Sequence, residues 1–174
     1  MGFGKAFVFS ILAFVGLNFV FTIIYYAIGP GFNSLFTTIQ TSPLMILYYL
    51  FGSIIAAPST ILDWVIAQPF LLSINDNLVL GLGYLAALII AAILAGRFGD
   101  NKGQCFGGWF LTVFISTILV ILGAFIDPTF QSTLLTLYGW PTFDVLLIYA
   151  IIFAVINIIF YGFFALLLSK TEYY

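Results

Sequence analysis

Four apolar blocks organise the chain, at about 6–28, 78–96, 107–126 and 143–168. Each nears or exceeds the roughly 20 residues that a helix needs to cross hydrocarbon. All six prolines, at 30, 43, 58, 69, 128 and 141, fall outside these blocks, so each is predicted to be an unbroken helix. A fifth apolar region, 43–72, is interrupted by Pro58 and Pro69 and predicts a broken helical pair. Within it "AAPSTILD" holds a helix stop and a restart: Pro58 breaks the ladder, Thr60 can cap, and Asp63 three residues on completes a capping-box pattern.

The few charges orient these elements. Lys5, Arg97, Lys102 and Lys170 are the only cations, and cytoplasmic loops retain Lys and Arg. Placing the 97–102 segment inside puts all four cations in the cytoplasm, both termini with them. Asp63, Asp76, Asp127 and Asp144 then fall on or towards the outer side. In this arrangement the first helix ends outside and the 78–96 helix starts there, so an even number of crossings lies between. Two full crossings need ~40 residues, more than 43–72 supplies. The region is therefore expected to be re-entrant or interfacial on the outer side. A shallow hairpin is favoured over a deep one, because Asp63 in mid-hydrocarbon is costly and Trp64 suits the headgroup level. Two short crossings, giving six spans, are the lesser alternative.

Composition agrees. The 174 residues are 64% hydrophobic and 6% charged, with a mean hydropathy of +1.25; a water-soluble domain needs ~25% charged residues. The expected fold is an all-α integral membrane protein, 1–174 forming a single polytopic domain, a four-helix transmembrane bundle plus the broken pair. No internal repeat or low-complexity linker is visible. The apolar run after Lys5 is longer than a signal-peptide core, which predicts an uncleaved first helix. Ala6 stands where myristoylation needs Ser or Thr.

Two patterns concern packing. Gly83, Ala87, Ala91 and Ala95 recur every four residues and form a ridge of small side chains; such ridges let helix backbones touch in lipid. Internal packing is the expected use, a dimerisation face the alternative. Asn18, Ser116, Thr117 and Asn157 fall near the middles of their helices and predict a midplane polar layer, serving interhelical hydrogen bonds rather than a permeation site. Aromatic residues are 20% of the chain, and the Tyr and Trp in "IIYYAIGPGF", "LYYLFG" and "LYGWP", together with Trp109, suggest interfacial belts.

Candidate chemistry is sparse. Histidine is absent and Cys105 is the single cysteine, so the expectation is no metal site, no cofactor and no disulfide. "GDNKGQCFGG" lacks phosphate-loop spacing and reads as a tight cytoplasmic turn. Nucleic acid is disfavoured for want of clustered cations. Without a positioned acid–base pair the chain is not expected to be an enzyme. Expected partners are the lipid bilayer of a cell membrane and other membrane subunits. The expected function is a non-catalytic structural or accessory subunit of a larger membrane complex, with a small transporter or channel for a small solute or lipid-like substrate as the alternative.

Overall fold

Lipid offers no hydrogen bonds, so a chain solvated by it must satisfy its backbone within each segment, which helices do. The computed structural model describes residues 2–169, and no strand occurs among them. In chain order the helices are α1 (Gly2–Ile28), α2 (Phe32–Thr41), α3 (Met45–Phe51), α4 (Pro58–Leu62), α5 (Gln68–Leu71), α6 (Leu78–Phe98), α7 (Lys102–Ile126), α8 (Pro128–Tyr138) and α9 (Phe143–Leu167). Of these α1, α6, α7 and α9 are long and apolar enough to span a membrane. They match the four predicted blocks, extended at several ends where a polar residue continues the helix. The 97–102 segment contracts to three linking residues, 99–101: Arg97 lies in the last turn of α6, Lys102 opens α7, and the Asn101 side chain caps the new helix by accepting from the Gln104 N–H at 2.9 Å.

Helices α6 and α7 pack on one another, and each touches both α1 and α9. The most apolar stretch of α6 and of α7 is 44% buried, against 22% for α1 and α9, so α6 and α7 form the middle of the bundle. The small-residue ridge of α6 lies inside it: Ala87, Ala91 and Ala95 are fully buried, and a Cβ on Gly83 would collide with Phe21 of α1. The dimerisation alternative is overturned, because the bundle's own helices occupy that face. Helix α1 answers with a four-residue stripe that was not predicted, in which Gly2, Ala6, Ser10, Phe14, Asn18 and Thr22 are all buried. Two further close approaches seal one end. A Cβ on Gly108 of α7 would lie 2.7 Å from the Ala6 Cβ of α1, and one on Gly96 of α6 would lie 2.5 Å from the Ala165 carbonyl of α9.

Region 43–72 is a broken helical pair bent like an open hairpin, Met45–Ile55 and Pro58–Leu71 meeting at 96°. Its tip is a 3₁₀ turn, Gly52–Ile55, that touches α6, α7 and α9, while α3 leans on α1 and α7. Ser53, Ile54 and Ile55 are completely buried. The tip meets α9 at Asn157, fourteen residues after Phe143 and so about 21 Å along that helix at 1.5 Å per residue. The tip therefore lies about midway along α9, inside the bundle. The expectation of a shallow position assumed that Asp63 would be carried inward with the tip. Instead Asp63 follows the tip by a full helical turn, opens a π turn (Asp63–Ala67) on the return arm, and is exposed. The cap is also corrected. Ala57 holds the N-cap position without any side-chain cap bond, and Pro58 is the first residue of α4; a proline there brings the helical φ and lacks the N–H that a cap would satisfy. Thr60 therefore has no cap to make, and Asp63 accepts from Gln68 Nε2 at 2.8 Å instead.

Two short helices, α2 and α8, lie between α1 and α3 and between α7 and α9. Helix α8 starts where Asp127 accepts from the Thr129 and Phe130 N–H groups at 2.8 and 3.2 Å, the capping role expected of that Asp–Pro pair.

Candidate solute site at the hairpin

Breaking a helix in the core frees carbonyls that an apolar interior cannot satisfy. One side chain answers this. Asn157 Nδ2 donates to the Ile54 carbonyl at 2.8 Å and to the Ala56 carbonyl at 3.2 Å. The Trp109 indole N–H donates in turn to the Asn157 main-chain carbonyl at 3.3 Å, and its ring meets Tyr161 edge-on. Trp109 is fully buried, so it is a core residue and no part of an interfacial belt. Its position in the chain suggested otherwise because it lies near a helix start; the α7–α9 contact covers it.

The interhelical hydrogen bonds expected of the polar layer form at one of its four residues. Asn18 Nδ2 donates to the Phe14 carbonyl at 2.9 Å, Ser116 Oγ to Thr112 at 2.7 Å and Thr117 Oγ1 to Val113 at 2.9 Å. Each of these bonds returns to its own helix, as short polar side chains do in helix interiors. Of the four, only Asn157 bonds another element. The buried Oδ1 atoms of Asn18 and Asn157 and the Oγ atoms of Ser10 and Ser53 have no hydrogen-bond partner.

From the hairpin towards the α2–α8 end the bundle opens into a cavity of about 420 Å³. It lies between the end of α1, both arms of the hairpin, the start of α6, and α2 and α8 above. Tyr25, Tyr26, Tyr48, Tyr49 and Trp64 provide its aromatic walls. Successive rings stand nearly at right angles: Tyr25 to Tyr26 at 86° and Tyr26 to Tyr49 at 81°. The Tyr26 and Tyr49 hydroxyls pair at 2.9 Å, and Thr22 Oγ1 donates to the Tyr49 carbonyl at 3.4 Å. No described residue that lines the cavity is charged. These tyrosines fall in two YY doublets that the sequence placed at an interface. The doublets were legible, but their convergence on one cavity was not.

The described cations gather at one end. Lys5, Arg97 and Lys102 are exposed at the sealed end, with Asp100 between the last two in the chain; Asp63 and Asp76 adjoin the lining residues Trp64 and Asn77 in the chain, and Asp127 and Asp144 open α8 and α9 at the cavity end. Lys170 lies outside the described residues. The Ser42 hydroxyl donates to Asp127 Oδ2 at 2.5 Å. This bond, reinforced by the Phe130 and Thr129 N–H groups, holds the Asp127 carboxyl below the usual carboxylate range. It also ties the α2–α3 turn to α8, the two elements over the cavity. At the sealed end the buried Cys105 thiol donates to the Gly96 carbonyl at 3.2 Å. No group of three potential metal-ligating side chains comes together among the described residues. No family model matches the chain, and neither does any curated protein or solved structure.

Proposed function

We propose that the chain is a small multi-pass membrane protein of the transporter or channel class, and that its solute enters at the hairpin cavity. One observation carries this reading: a broken helical pair reaches the bundle core directly beneath a 420 Å³ cavity at one end. Discontinuous helices with irregular backbone beside a cavity are the usual way membrane carriers build a solute site. The internal use of the α6 ridge adds support, since that face is no longer available to a partner. The positive-inside rule directs the cavity outward and puts both termini in the cytoplasm of a cell membrane. Tight contact at the other end, where Gly96 meets Ala165 and Gly108 meets Ala6, then corresponds to an outward-open, inward-closed state.

A second reading, a non-catalytic accessory subunit, rests on Phe70, Leu71 and Leu72, which project at 81%, 78% and 60% exposure beside the return arm of the hairpin. A partner chain could cover them; so does lipid. Two measurements on the purified protein separate the readings. Saturable flux into liposomes, lost when Leu80→Trp fills the cavity, supports transport. Flux equal to that of empty liposomes, with other chains present at fixed stoichiometry in native mass spectra, refutes transport and supports the subunit.

A further inference from the structure

The chemistry of the cavity selects among solutes, given the transporter reading on which this inference rests. Many of its hydroxyl groups are already engaged and so poorly placed to recognise a sugar or polyol: those of Tyr26 and Tyr49 bond each other, and those of Thr22, Thr38 and Thr133 donate to main-chain carbonyls. What the walls offer is ring surface. Tyr25, Tyr26, Tyr49 and Tyr48 follow one another as T-shaped pairs, at 86°, 81° and 61°, so neighbouring rings of the lining are steeply inclined to one another. Trp64 contributes a fifth ring to the lining. Each aromatic face carries the negative lobe of a quadrupole and attracts a cation.

The surroundings act in the same direction. Asp63 and Asp76 each precede a lining residue in the chain, Trp64 and Asn77. The Asp76 carboxylate lies within electrostatic reach of Tyr25, and the partner of Asp63 is the neutral amide of Gln68. All three described cations sit at the opposite end. A cleft with low-dielectric walls and one sign of charge concentrates the field at its mouth. An anionic solute would be repelled there, and a compact, strongly hydrated inorganic cation would lose its water against uncharged rings.

We propose that the cavity is an aromatic cage for an organic cation, a tertiary or quaternary ammonium compound. The rings replace the weak hydration of its alkyl groups, and the flanking carboxylates raise its local concentration.

The test uses the full chain in nanodiscs and two probes of matched shape, choline and its uncharged isostere 3,3-dimethylbutan-1-ol, titrated by calorimetry. Choline should bind about tenfold or more tighter than the isostere, as expected for a desolvated cation against several rings. Tyr26→Phe keeps the ring and should hold choline within about threefold, whereas Tyr26→Leu should lose about tenfold. Asp76→Asn should weaken choline binding and flatten its salt dependence. Equal binding of choline and the isostere to the unaltered protein overturns the cation assignment while leaving the cavity a solute site. Binding of neither probe also overturns it, and the flux measurement then decides the transporter reading separately. Because the isostere comparison needs no substitution, a variant that fails to fold does not shelter the proposal.

Discussion

Replacing Asn157 by leucine removes the one side chain that bonds both carbonyls of the hairpin tip. Two regimes bracket the result. If the tip relaxes and finds other partners, the loss is that of two interhelical bonds at ~0.6 kcal/mol each, or about 1 kcal/mol. If Ile54 and Ala56 keep their positions, both carbonyls stay buried and unpaired at ~1–3 kcal/mol each, or about 2–6 kcal/mol. The tip is completely buried and touches three helices, so relaxation is restricted, and we expect about 2–4 kcal/mol, within the second range. Asn18→Leu is the matched control. It removes one amide that bonds its own helix and one Oδ1 without a partner, and should cost less than about 1 kcal/mol. Unfolding in bicelles by steric trapping gives both values, and amide exchange at 52–57 should speed up in Asn157→Leu alone. Equal destabilisation by the two substitutions, or unchanged exchange at the tip, would refute the clamp.

Ala87→Leu and Ala91→Leu should each destabilise the bundle by ~1–3 kcal/mol through overpacking, while Ile89→Leu, at a half-buried position off the ridge, should be nearly neutral; the same unfolding assay compares them. Because the Cys105 thiol is buried against Gly96, maleimide should leave it unmodified in the folded protein from either side of the membrane and label it only on denaturation. Orientation is better read from Gly103→Cys in a Cys105→Ala background, where a new Cβ meets nothing closer than 3.5 Å; labelling in intact cells would reverse the charge-based topology. The folded-state pKa of Asp127 is lowered by Ser42 and two N–H groups. Its contribution to stability is therefore complete above the ordinary carboxylate range and lost as pH falls through the lowered value. A pH titration of stability should show this acid-side loss, diminished in Ser42→Ala.

The sequence by itself determined what composition and run length control: that four stretches are helices long and apolar enough to span a membrane, and that 43–72 is broken at Pro58. These are one-dimensional properties, because a proline stops a helix and a twenty-residue apolar run spans hydrocarbon whatever packs beside it. Sequence also divided the charges, and the described cations and four aspartates do lie at opposite ends of the bundle. Partnership across space was not legible. Nothing in the spacing of Asn18 and Asn157 tells which amide bonds its own helix and which crosses a hundred residues to the hairpin, since both are isolated amides in apolar helices. The burial of the tip followed from that same pairing: a broken backbone can enter the core only where another element supplies donors, and Asn157 belongs to α9, far along the chain from the tip. Trp109 became interior, and two tyrosine doublets became cavity walls, because tertiary packing alone decides which side of an all-apolar helix faces protein and which faces lipid.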